Sequence, residues 1–262
     1  MINCTRDLLN SLLNAKTLAF DYDGTLAPVS VNRSKSHVIP EVAEVLSRLR
    51  RYYKIIIVTT KDCQFIIRRT PFAHMWVCSN GFEVRFHDDD LSIIPSKILS
   101  IDMQRFEKIL DKALSIAKKY NLTIELKNVG IIKVGFCIDW RKKMVKPPKD
   151  IIELLDEART SGLSVIEYPN RPFIDIFLTF INKGWAIEKL LKLNIIERPL
   201  AYFGDSENDL PAFKLSDISI QVVHEENKSI ELKTMYRVDQ KDLASILKQL
   251  ESVISKESNI ST

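Results

Sequence analysis

The sequence predicts an α/β protein: a parallel, Rossmann-like sheet with helices on both faces, interrupted by an inserted α+β domain. Three observations carry this expectation. Short apolar runs that do not alternate are separated by amphipathic helical patterns, as in a parallel sheet buried on both sides. The stretch 84–180 follows a different pattern, with elements enough for a domain of its own. Two aspartates, Asp21 and Asp23, stand where the first apolar run stops, and an open parallel sheet collects its ligands at such strand ends.

The elements follow in order. "TLAF" (17–20) is the first buried strand and runs into "DYDGT" (21–25). "PEVAEVLSRLR" opens at Pro40, with Val42, Val45, Leu46 and Leu49 on one helical face and proline in the first turn. "KIIIVT" (54–59) and "MWVCS" (75–79) are further strands. Inside 84–180, the helix "MQRFEKILDKALSIAKKY" precedes the strands "LTIEL" and "IIKVGFCI"; the helix "IIELLDEART" precedes "SVIEY" and "FIDIFLTF". "DDDLS" (88–92) and "INKG" (181–184) are the expected hinges, and the acids Asp88–Asp90 read as a solvated turn. "LAYFG" (200–204) and "ISIQVV" (218–223) resume the sheet, and Leu243, Ile246, Leu247, Leu250 and Ile254 stripe a closing helix. The final "SKESNIST" is expected to fray. The expected organisation is therefore a core of 1–83 plus 181–262 and an inserted domain of 84–180.

Composition narrows the function classes. Hydrophobic residues make up 45% and charged residues 27% of 262, the balance of a soluble globular chain. The net charge of +4 comes from 38 basic and 34 acidic residues spread along the chain, without the basic stripe of a nucleic-acid binder. No apolar run approaches the ~18 residues that span a bilayer, and the N-terminus lacks a signal-peptide layout. These features predict a cytoplasmic protein without a membrane or nucleic-acid partner, monomeric or a small homo-oligomer. Cys4, Cys63, Cys78 and Cys137 lie far apart without a CxxC pair, so isolated thiols are expected.

The polar residues at strand ends carry the chemistry. Asp21 and Asp23 follow the first strand, Thr59 ends the second, and Asp205 ends "AYFGD" with Asp209 just beyond. Lys183 lies at the start of a helix, whose N-terminus favours anions. Carboxylates gathered at one sheet edge are costly without a cation, and they predict a hard divalent ion such as Mg²⁺. A carboxylate beside such an ion can attack phosphorus. A lysine offsets the repulsion between them, and a second carboxyl two residues on can protonate the leaving oxygen and then activate water.

"DYDGT", "VTT", "KG" and "GDSEND" stand in the order and context of the four motifs of the haloacid dehalogenase superfamily of phosphatases, which the chain resembles. The resemblance implies an α/β cap of subfamily IIB, Asp21 as nucleophile and Asp23 as general acid and base. It implies Thr59 and Lys183 as phosphate ligands. Mg²⁺ would sit on Asp21, Asp205 and the backbone carbonyl of Asp23, with Asp209 as a nearby ligand or a group behind the ligands. "FDYDGTLAPV" is similar to the trehalose-6-phosphate phosphatase branch, and "IELK" is similar to the Glu-x-Lys by which that branch binds sugar hydroxyls. That makes Glu125 and Lys127 substrate candidates, and Arg141 of "DWR" a further one. Lys61, two residues after Thr59, is either a substrate contact or a surface lysine. The best match implied for the substrate is thus a sugar phosphate, trehalose 6-phosphate. "GDSEND" is more like the phosphatases for mannosyl-3-phosphoglycerate, sucrose phosphate or phosphoglycolate, which stay open as alternatives. So does a non-catalytic sugar-phosphate sensor, although such a protein would be expected to lose Asp21 or Asp23.

Overall fold

In the computed structural model the apolar runs become strands. Residues 2–29, 31, 33–88, 92–95, 103–141, 143–144, 146–168 and 171–260 are described; Asp89 and Asp90 of the acid triplet lie outside them, as do the last two residues. The first part of the chain forms α1 (Ile2–Leu13), β1 (Thr17–Phe20), α2 (Pro40–Leu49), β2 (Lys54–Val58), α3 (Cys63–Ile66), β3 (Met75–Cys78), β4 (Glu83–Phe86) and β5 (Ser92–Ile93). The middle forms α4 (Met103–Tyr120), β6 (Thr123–Val129), β7 (Ile132–Asp139), α5 (Lys149–Thr160), β8 (Ser164–Glu167) and β9 (Phe173–Phe177). The last part forms α6 (Lys183–Lys192), β10 (Leu200–Gly204), α7 (Leu210–Phe213), β11 (Ile218–Val223), β12 (Tyr236–Asp239) and α8 (Leu243–Ile260).

The chain divides into two units, Met1–Ser92 with Asn182–Thr262, and Ile93–Ile181. The larger unit holds a sheet in the order β12-β11-β10-β1-β2-β3-β4-β5. Pairing is parallel from β12 through β3, and β4 turns back antiparallel to β3. Segment 84–86 thus lies in this sheet rather than with the insertion. Every residue of β1, β10 and β11 is buried, which is why these strands read as unbroken apolar runs. Helix α8 packs against α2 and α1, bringing Leu247 and Leu250 into one core with Val42, Leu46, Leu8 and Leu12.

Two expectations change. "SKESNIST" does not fray from its start: α8 continues to Ile260, since no glycine or proline interrupts the helix there. Nor are Cys63 and Cys78 isolated thiols. Cys63 and Cys78 form a disulfide with Cα atoms 5.3 Å apart, because α3 begins beside the end of the neighbouring strand β3. Cys137 remains a thiol. Among the described residues no helix is long and apolar enough to cross a membrane.

The smaller unit is a four-stranded antiparallel sheet, β6-β7-β9-β8. Val134, Phe136 and Ile138 alternate along β7 and are buried together with Phe106, Ile109 and Leu110 of α4 and Ile151, Leu154 and Leu155 of α5. The intervening positions carry polar groups on the other face, where Glu125 pairs in register with Cys137 and Cys137 with Asp175.

One glycine tests the packing of the larger unit. A Cβ on Gly184, near the start of α6, would lie 2.5 Å from the carbonyl oxygen of Pro211 in α7. Helix propensity alone would reward Gly184→Ala by about 1 kcal/mol, whereas overpacking costs about 1–3 kcal/mol. A lower urea midpoint is expected; a higher one would show that α6 moves away from Pro211 without cost.

Candidate active site

Parallel pairing brings the functional ends of the strands together. Phe20 stands in register with Phe203 of β10 and with Ile57 of β2, so the residues after these strands emerge at one edge. The Asp21 amide donates to the Phe203 carbonyl at 2.8 Å, extending the ladder by one step. The chain then turns: the amides of Leu26 and Ala27 donate to the Tyr22 carbonyl, and that of Gly24 to Ala27. Gly24 has φ +82°, and a Cβ there would lie 2.3 Å from Asp205 Oδ2. Only glycine satisfies both the backbone and the space.

At the centre, the buried Lys183 ammonium bridges two carboxylates. Its Nζ donates to Asp21 Oδ1 at 2.6 Å and to Asp209 Oδ1 at 2.7 Å. Lys183 gets there because Asn182 caps α6, accepting from the Trp185 amide at 2.9 Å. Asp209 is held on all sides. Tyr202 donates to its Oδ1 at 2.7 Å, and the amides of Asp205 and Ser206 donate to its Oδ2 at 3.0 and 3.1 Å. Its carboxylate therefore orients Lys183 and the turn after β10.

Charge crowding shifts the protonation of these groups. Burial pushes the Asp21 carboxyl well above the usual carboxylate range; Lys183 opposes this, while Asp209 and Asp205 add to it. Burial would lower Lys183, but the charges of Asp209 and Asp21 outweigh it and hold the ammonium above its ordinary range. Tyr202 is likewise pushed up by burial and by Asp209. Asp21, Asp205 and Asp209 offer oxygens within 4.8 Å of one another, all buried, against one lysine. This set fits a hard cation: its donors are oxygens and its net charge is negative.

The remaining residues of the edge come from the β2 and β3 loops. Thr59 is buried, its amide donating to Val77 and its hydroxyl accepting from the Lys61 amide at 3.1 Å. The amides of Ser79 and Asn80 donate to the carbonyls of Lys61 and Thr59. The Cys63–Cys78 disulfide joins the same two segments. Lys61 Nζ reaches within 3.4 Å of Asp23 Oδ2, so it belongs to the site edge rather than to a plain surface.

Glu125 and Lys127 lie in the smaller unit. Lys127 is 2% exposed, with Nζ 3.3 Å from Asp175 and 3.8 Å from Glu125, and Tyr168 donates to Asp175 at 2.7 Å. Arg141 pairs with Asp139 at 2.7 Å. Three residues that sequence reading passed over join the core site: Tyr202, His224 and Asn227. His224 Nε2 lies 2.9 Å from Asp205 Oδ2, and Asn227 Nδ2 donates to the Asp205 carbonyl at 2.8 Å. The signal for His224 was available, since a polar residue ending the "ISIQVV" run obeys the same strand-end rule as Asp205.

Residues 117–250 match the family model described as haloacid dehalogenase-like hydrolase. The matched stretch spans Lys183, Asp205 and Asp209, and the chain belongs to this family. It is similar to a phosphoglycolate phosphatase of Sulfurisphaera tokodaii, 26% identical over 90% of this chain and 92% of the relative. A trehalose-6-phosphate phosphatase-related protein of Thermoplasma acidophilum is 24% identical over 77% of this chain and 83% of its own. In fold, the chain resembles the C-terminal domain of C. albicans trehalose-6-phosphate phosphatase, with TM-score 0.77, 16% identity and coverage of 95% and 96%.

The crowding has a measurable consequence. The Asp21 carboxyl holds its proton more tightly folded than unfolded, so its ionisation costs stability as pH rises above the unfolded carboxylate range, and the cost fades as pH falls. In EDTA at pH 7–8, Asp21→Asn is expected to raise the melting temperature, with the gain shrinking toward pH 4. A lower melting temperature at every pH would contradict the crowding.

Proposed function

We propose that this haloacid dehalogenase-like hydrolase is a phosphomonoesterase that works through an aspartyl phosphate on Asp21. The observation that carries the reading is the buried Lys183 ammonium, held at 2.6 Å on Asp21 at the sheet's ligand edge. In the first step an Asp21 oxygen bonds to phosphorus as the bond to the ester oxygen breaks. Asp23, partly exposed at the turn, delivers a proton to the departing oxygen. In the second step Asp23 takes a proton from water, the water oxygen bonds to phosphorus, and Asp21 is released as a carboxylate. Lys183 offsets the repulsion between carboxylate and phosphate, and the Thr59 hydroxyl holds a non-bridging oxygen. Asp21, Asp205 and the Asp23 backbone carbonyl are the groups to hold Mg²⁺, which when bound supplies positive charge against the transferring phosphoryl group. Asp209 then serves by fixing Lys183.

The substrate class is a sugar phosphate, with trehalose 6-phosphate indicated by "DYDGTLAP" and by Glu125 and Lys127 as groups for sugar hydroxyls. A second class is favoured by one feature of the larger unit. Lys61 stands 3.4 Å from Asp23, the group next to the leaving oxygen, where a cation suits a leaving group carrying a carboxylate one carbon away. Phosphoglycolate is such an ester, and it is the substrate in the name of the Sulfurisphaera relative.

Phosphate release from trehalose 6-phosphate, phosphoglycolate and an aryl phosphate, with Mg²⁺ and with EDTA, tests the reaction. Hydrolysis is expected only with the metal and is expected to vanish in Asp21→Asn, because an amide is no nucleophile toward phosphorus. Substantial turnover in that variant would rule the mechanism out.

The same panel separates the substrate classes. Losing one charged hydrogen bond costs about 1.5–3 kcal/mol, roughly 10–150-fold in kcat/KM. Under the acid reading, Lys61→Met should lower the ratio of phosphoglycolate to aryl phosphate hydrolysis by that order. Under the sugar reading, Glu125→Ala should do so for trehalose 6-phosphate. Lys127→Ala is the poorer probe, since removing it would strand Asp175.

A further inference from the structure

The loop after β11, "HEEN" (224–227), forms a bracket around Asp205. The Glu226 amide donates to His224 Nδ1 at 3.2 Å, so Nδ1 is the acceptor nitrogen and Nε2 carries the proton. That proton points to Asp205 Oδ2, 2.9 Å away. The ring is aimed by the loop itself: the His224 amide donates to Asn227 Oδ1 at 2.7 Å. The fully buried Asn227 then closes the bracket. Its Nδ2 donates both to the Asp205 carbonyl at 2.8 Å and to the Val222 carbonyl at 2.9 Å. Asp205 is thus held at its side chain by His224, at its carbonyl by Asn227 and at its amide by Asp209. Gly24 packs over the same carboxylate so tightly that no side chain fits there.

The geometry points to His224 as the positioning residue of the metal site: by donating to one oxygen of Asp205 it fixes the rotamer in which that carboxylate meets the divalent cation. The inference rests on the metal reading of Asp21 and Asp205. A carboxylate at the end of a strand can swing about two side-chain torsions, and ordering it on binding costs free energy. A donor already in place removes that cost. Groups that orient metal ligands in this way typically contribute 10–100-fold in metal affinity. Phosphoryl transfer is not required to see the effect, because it lies in binding of the ion alone.

Mn²⁺ is the probe, titrated into the substrate-free protein and followed by electron paramagnetic resonance. His224→Ala is expected to bind it 10–100-fold more weakly, and His224→Gln, whose amide can place an N–H near the former Nε2, is expected to recover most of the loss. Both variants should melt like the parent in EDTA, where a purely structural role would show. Should His224→Ala fail to fold, His224→Met keeps the bulk without the donor and is expected to show the same loss. Unchanged Mn²⁺ affinity in a donorless variant would overturn the inference while leaving the metal site standing. Equal weakness of the alanine and glutamine variants would overturn the hydrogen-bond role. Failure of the parent to bind Mn²⁺ would overturn the metal reading, and the inference with it.

Discussion

A single buried ammonium organises the larger unit. Lys183 sits between Asp21 and Asp209 with almost no exposure, and an ion so placed is tolerable only when every neighbour is arranged around it. The arrangement is visible residue by residue. Tyr202 and two backbone amides complete the coordination of Asp209. The approach of β10 to the following turn leaves no room at Gly204, where a Cβ would lie 2.5 Å from the Asp209 carboxyl carbon. Gly184 does the same for α6 against α7, and Gly24 for the first turn against Asp205. Gly204 and Gly24 are therefore consequences of one charge cluster and the close approach it demands.

The same cluster carries more negative charge than one lysine balances, a donor set that could hold a cation. Three carboxylates gather beside an ammonium that pairs with two of them, and burial with mutual repulsion pushes Asp21 upward even beside Lys183. An apolar core would never choose this composition for stability. Such strain is held where function requires it, and here the surrounding loops hold it: the disulfide and the Thr59–Asn80 hydrogen bond on one side, the bracket of His224 and Asn227 on the other.

Much of this was legible in the sequence because parallel sheets obey strict geometry. Unbroken apolar runs place their following residues at a common edge, so Asp21, Thr59 and Asp205 could be grouped without coordinates. What escaped reading escaped for physical reasons. Tyr202 lies inside an apolar run, and its hydroxyl matters only because Asp209 returns beneath the strand. His224 stands alone, and its meaning comes from a turn of the loop that spacing does not encode. Cys63 and Cys78 lie 15 residues apart in sequence and become neighbours only through the pairing of β2 with β3. Lys127, read as a group for sugar hydroxyls, is buried against Asp175; the alternation of its strand showed which face it occupied but not what else stood on that face. Strand β4, with the mixed sequence Glu83–Phe86, carried too little apolar signal to reveal that it turns back against β3.

The central claim is that Asp21 carries the phosphoryl group between two half-reactions. The most direct test is chemical trapping: the protein is mixed with excess phosphate ester and Mg²⁺, quenched in acid within one turnover, and reduced with borohydride, which converts an acyl phosphate to an alcohol. Peptide mass spectrometry should then find homoserine at position 21, dependent on both ester and metal. Reduction at a different carboxylate, or none in a protein shown to turn over under the same conditions, would contradict the account and favour direct attack of water on the ester.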